Sequence, residues 1–91
     1  MNSSSNSTYF ILFYKTIEQY KEKRIPHRDS HLAYVTAATK RGDLVLGGAL
    51  DEPADEAVLV FKVEDVSIVQ NFAEHDPYVV NGMIKEWSIR P

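Results

Sequence analysis

The chain has no cysteine. That excludes disulfide staples, a catalytic thiol and any thiolate metal site. It has no excess of basic residues either: 10 Lys and Arg stand against 13 Asp and Glu, a formal charge of −3. Such a balance argues against a nucleic-acid partner or an anionic membrane surface. No apolar run approaches the roughly 18 residues needed to cross a bilayer. Glycine and proline are sparse, four of each, so each one carries positional information. No phosphate-binding glycine loop is present, and no sequence pattern points to a cofactor.

What remains is an ordinary globular composition, 44% hydrophobic and 25% charged, in 91 residues. This length makes one domain, which hides only about 60–65% of its unfolded surface on folding. A small core with neither staples nor metal favours stabilisation by oligomerisation. Residues 1–8 form a polar, serine-rich tail, expected to be disordered. The tail has no positive n-region and no small-residue cleavage site, so it does not read as a secretory signal and the expected location is cytoplasmic. The Asn6-Ser7-Thr8 sequon then carries no glycosylation.

From Tyr9 to Lys15 the sequence is aromatic and apolar without alternation, the mark of a strand buried on both faces. Thr16 to Arg24 is charged and reads as a loop or short helical turn. A helix follows, with Pro26 at its first position and Gly42 at its stop, and Leu32, Val35 and Ala38 along its apolar stripe. Asp43–Leu50 reads as a second strand interrupted by Gly47-Gly48, and 51–55 as a turn. Ala57–Val63 is a third strand. Asp65 caps a second helix whose stripe is Val66, Val69, Phe72 and Ala73, and Pro77 ends it. Met83–Arg90 is the last strand.

The order β-α-β-β-α-β is the α+β, ferredoxin-like arrangement. Right-handed crossovers put both helices on one face of the sheet. The first and third strands are central in that topology, and they are the two runs apolar on both sides. Their second face would leave Phe, Tyr, Leu and Val in water, which usually marks an interface. A second copy packed sheet to sheet, a dimeric α/β barrel, satisfies it.

Three constellations carry chemical interest. Arg28 and His31 stand at i,i+3 and share one helix face. His27, four residues before His31, offers a second imidazole, but no third ligand is evident and a metal site is not expected. Asp76, at the end of the second helix, faces the negative pole of the helix dipole, where a carboxylate is mildly unfavourable. It either begins a turn before Pro77 or reaches His31 across the helix layer, where an Asp–His pair would fix the imidazole tautomer for general-base work. His75 reads as a surface residue. The Gly47-Gly48 pair marks a bulge or a close approach of backbone to ligand. Tyr78, Tyr34 and Trp87 either line a pocket or serve as core or dimer contacts.

Taken together, Arg28-x-x-His31-Leu32, Gly47-Gly48-Ala49-Leu50 and Asp76-Pro77-Tyr78, with Gly82 and Trp87 near the end, resemble the YciI-like (YCII-related) family of the dimeric α/β barrel superfamily. The resemblance spans residues 9–91. It implies a ferredoxin-like homodimer with a cleft between helices and sheet and a small-molecule ligand. It implies a His31–Asp76 pair at the active site with Arg28 nearby; Tyr78 and Gly48, from the pocket and close-approach readings above, are the candidate substrate contacts. The superfamily includes cofactor-independent isomerases, lyases and monooxygenases, and a YciI-like dehydrochlorinase of a chlorinated hydroxyquinol. The expectation is therefore proton abstraction with elimination or isomerisation. The alternatives are a ligand-binding or accessory dimer without chemistry, and a purely structural His31–Asp76 bond. Two departures, a short segment after the second strand and an end at Pro91 without an arm toward a partner, leave the substrate unnamed.

Overall fold

The computed structural model describes residues 8–49 and 55–91. The expected tail over 1–7, the strand end at Leu50 and the turn over 51–54 lie outside the described residues. Among the described residues, four strands and four helices follow in the order β1 (Thr8–Thr16), α1 (Tyr20–Lys23), α2 (Arg28–Lys40), β2 (Leu44–Ala49), β3 (Glu56–Val63), α3 (Val66–His75), α4 (Pro77–Val80) and β4 (Ile84–Arg90), with a 3₁₀ turn over Ile25–His27. The sheet runs β2-β3-β1-β4 with every neighbour antiparallel, so the two doubly apolar strands are central. This is the α+β, ferredoxin-like fold.

Several boundaries have local causes. Thr8 belongs to β1, paired with Val63, and not to the tail. Arg41, Gly42 and Asp43 close α2, their backbone N–H groups donating to the carbonyls of Ala37, Thr39 and Ala38, and Gly42 takes a φ of 86° that only glycine adopts freely. Asp65 caps α3, its carboxylate accepting the Ser67 N–H at 3.0 Å.

Along β1, Leu12, Tyr14 and Thr16 face the helices and are buried. Along β3, Ala57, Leu59, Phe61 and Val63 do the same. Val69, Phe72 and Ala73 of α3 close over them, with Phe72 edge-on to Phe61 at 4.9 Å between ring centres. On the opposite face, cross-strand pairing lines up Phe13 with Val58 and Ile11 with Val60, which pairs in turn with Leu46. Leu46 is 67% exposed.

The expected bulge in β2 exists, but it sits two residues ahead of the glycine pair. Leu44 pairs with Phe61 and Leu46 with Val60, leaving Val45 as the extra residue. Leu44 therefore faces the helices, Leu46 the open side, and Gly47, opposite Leu59, the helices again.

Candidate functional site

The site starts from α3's end. Its last residue is His75, and Asp76 turns the chain with an extended φ/ψ into Pro77 at the first position of α4. Asp76 therefore is the N-cap of a new helix as well as the end of an old one. The unfavourable helix-end charge expected from the sequence is offset by the next helix: the carboxylate accepts the Tyr78 N–H at 2.9 Å. Turn chemistry and long-range pairing, set as alternatives, hold at once.

Asp76 is fully buried, and three donors surround it. Besides the Tyr78 N–H, the Tyr14 hydroxyl donates to Oδ2 at 2.8 Å and His31 Nδ1 meets Oδ1 at 2.8 Å. A carboxylate that only accepts requires Nδ1 to carry the ring proton, which leaves the lone pair on Nε2. The imidazole is held in a second way. Its ring stacks on that of Tyr78, with centroids 3.8 Å apart and planes 6° from parallel. One tyrosine residue thus fixes the carboxylate with its backbone and the imidazole plane with its side chain.

His31, Arg28 and Leu32 of α2 open onto a cavity of about 200 Å³ between that helix and the sheet. Tyr14, Tyr20, Arg24, Val35, Gly47, Gly48, Ala57, Leu59 and Tyr78 complete its wall. The cavity has a physical origin. The apolar stripe of α2 meets small residues where the sheet passes beneath: Gly47 presents no side chain and Ala57 a single methyl. Of that stripe only Ala38 is buried, while Leu32 stays 45% exposed at the cavity edge. A methyl added at Gly47 would sit 3.3 Å from Leu59 Cγ, so the glycine keeps β2 close to β3 there. At Gly48 an added methyl meets nothing, so its contribution to the wall is backbone.

Electrostatics follow from this burial. Desolvation, then the Asp76 charge and the hydrogen bond to it, hold the Tyr14 phenol well above its ordinary range. Tyr78 is pushed up to about 12, mainly by burial and by neighbouring Tyr20, with Arg24 and Arg28 opposing. Tyr34 is raised by burial and by Asp76.

Of the residues expected at the site, His31, Asp76, Arg28, Tyr78 and Gly48 come together. Tyr34 does not join them: it donates to the Phe72 carbonyl at 2.8 Å and borders a separate groove beside α3. Nor does Trp87, which lies on β4 beside Phe13, Lys15 and Glu86. His75 binds the Asn71 carbonyl through Nδ1 at the surface. The sequence reading missed Tyr14, Tyr20 and Arg24. A signal existed for Tyr14: on a strand whose alternate residues are buried, a tyrosine needs a partner for its hydroxyl. Another existed for Arg24, which follows Tyr20 at i,i+4, and its guanidinium stands 5.0 Å from the Tyr20 ring centre.

Comparison with known proteins bears on this arrangement. The model of the YCII-related domain matches residues 8–91. An uncharacterised protein of Haemophilus influenzae is 26% identical over 92 residues, covering 91% of this chain and 94% of its own. Among solved structures, 5-chloro-2-hydroxyhydroquinone dehydrochlorinase from Burkholderia phenoliruptrix, in complex with 2,5-dihydroxybenzoquinone, superposes with a TM-score of 0.78 at 21% identity, covering 92% of each chain. A Pseudomonas aeruginosa protein superposes with a TM-score of 0.63 at 7% identity, covering 98% of this chain and 94% of its own.

Proposed function

The chain belongs to the YCII-related family, and from that premise we propose that it is a small enzyme that abstracts a proton from a small organic acid or phenol. The observation that carries this reading is His31: Nδ1 is bound by a buried carboxylate, the ring is stacked on Tyr78, and Nε2 is left for the cavity. Nε2 takes a proton from carbon or from a hydroxyl. The electron pair left behind becomes an enolate or phenolate, and Arg28 stabilises its charge. The charge collapses either by expelling a leaving group on the adjacent carbon, which is elimination, or by accepting a proton at another carbon, which is isomerisation. Asp76 holds the imidazolium that forms in between. The fold neighbour that acts on a chlorinated hydroxyhydroquinone supports the elimination branch.

The test is a panel of small phenols and carboxylic acids incubated with the protein in D₂O and followed by proton NMR for exchange or elimination. A positioned base contributes about 10²–10⁴-fold, so activity seen with the wild type falls by that factor in His31→Ala. Equal rates in both proteins would eliminate the base. Ligand-induced stabilisation with no turnover on any compound would make the protein a binding module.

The protein works as a homodimer through the open sheet face, in this reading, because Ile11, Phe13, Val58, Val60 and Leu46 form an apolar surface with no helix over it among the described residues. Sedimentation equilibrium then gives twice the chain mass for the wild type and the single mass for Phe13→Asp. A monomeric wild type at micromolar concentration would refute it.

A further inference from the structure

We propose that Arg24 and Arg28 form a clamp for one carboxylate, so that the substrate is a carboxylic acid of about one ring in size; this rests on the proton-abstraction reading above. Four observations lead there. Among the described residues the cavity wall holds two arginines and no carboxylate, in a chain whose formal charge is −3. A local reversal of sign at a concave, partly apolar site concentrates anions.

The second observation is that Arg24 is held in place. Its guanidinium lies over the Tyr20 ring at 5.0 Å, and Tyr20 in turn meets Tyr78 edge-on at 5.7 Å. A guanidinium fixed on an aromatic face keeps its fork of N–H donors ordered, which favours a planar, two-oxygen partner over a point charge. Third, both arginines act on the same spot: their charges oppose the rise of the Tyr78 phenol, and that ring is the one stacked on His31. An anion drawn to them therefore lies beside the imidazole.

Size sets the rest of the molecule. A cavity of about 150 Å³ holds benzene. The cavity of about 200 Å³ here admits a ring with one or two small substituents, or an acyclic acid of similar bulk. The aromatic and aliphatic wall from Tyr14, Leu59 and Tyr78 suits the apolar part of such a molecule. The carboxylate end sits on the arginines and the acidic C–H or hydroxyl faces Nε2.

Benzoate, phenol and benzylamine serve as probes because they share a ring and differ in charge. Chemical-shift titration should show benzoate binding at least about tenfold more tightly than phenol, with benzylamine weakest. Arg24→Met should weaken benzoate by about tenfold to a hundredfold while leaving phenol unchanged, the range expected when a charge-assisted hydrogen bond is lost. Arg28→Met should do the same, and Arg24→Lys, which keeps the charge without the fork, should recover only part of the loss. Should Arg24→Met fail to fold, Arg24→Lys and Arg28→Met decide alone. Benzoate that binds no better than phenol, or that ignores both substitutions, would overturn the clamp while leaving the base in place. Conversely, His31→Gln that keeps the benzoate preference but exchanges deuterium as fast as the wild type would remove the base and leave the clamp.

Discussion

The two long helices lie on the same face of the same sheet, yet they do different things. On α3, Val69, Phe72 and Ala73 are all buried against β1 and β3. On α2 only Ala38 is buried, and Leu32, one of the stripe residues the sequence marks as apolar, looks onto open space. The difference comes from the strand below. Where α3 meets Phe61 and Leu12, α2 meets a glycine and an alanine. One half of the helix layer holds the fold together and the other half holds a cavity, with Asp76 at the join between them.

The largest expected break in that comparison is Phe72→Ala. It removes a buried ring from the α3 side and should lower unfolding free energy by about 3–5 kcal/mol. Leu32→Ala, on the α2 side, should change it by about 0.5 kcal/mol or less, because half of the side chain is already in water. Urea denaturation of the two variants gives the contrast directly. Comparable losses would mean that α2 is packed as tightly as α3.

Asp76→Asn tests the join. The amide keeps the volume but brings two N–H donors to a place surrounded by donors, so at least one polar group loses its partner. A loss of about 1–3 kcal/mol is expected, and the near-ultraviolet circular dichroism of Tyr14 and Tyr78 should change with it. A variant as stable as the wild type would show that the carboxylate organises little.

Alkaline pH sharpens the picture of the tyrosines. Tyr14 and Tyr78 hold their protons more tightly when folded than the usual phenol value of about 10. The unfolded chain thus loses those protons first. The stabilisation is complete below about pH 10 and declines as pH rises, for Tyr78 until its folded value of about 12 is reached. Each such group contributes a slope of about 1.4 kcal/mol per pH unit in that window. Tyr14→Phe should flatten the decline between pH 10 and 11.5 when urea midpoints are compared, and an unchanged slope would remove Tyr14 from the account.

Much of the fold was legible in the sequence because strand and helix signals are local. Unbroken apolar runs marked β1 and β3, Gly42 marked the end of α2, and Asp65 marked the start of α3. Helix α4 was not legible, since four residues after a proline look like a turn. The His31–Asp76 pair was legible only as one of two alternatives, because nothing local tells a turn aspartate from one whose partner lies 45 residues away. Tyr14 was hidden for the same reason. Its bond to Asp76 spans 62 positions and depends on the strand's helix-facing side being the one beneath α4. Arg24 and Tyr20 were lost in a charged stretch whose helical turn is only one turn long. Tyr34 and Trp87 stayed undecided between pocket and core or dimer contacts, because aromatic character does not say which face of a helix or strand a ring takes.

The single extra residue at Val45 acts as a frameshift in the strand. Before it, even-numbered positions of β2 point inward; after it, odd-numbered ones do. In the unshifted frame Leu46 would stand opposite Leu59, where Gly47 now stands, and its side chain would fill the void beneath α2. The phase change sends the leucine to the outer surface and brings a residue without a side chain inward. The bulge therefore both opens the chamber and adds an apolar side chain to the outer surface, and a slip that paired Val45 with Val60 in a regular ladder would close the one and thin the other in the same stroke.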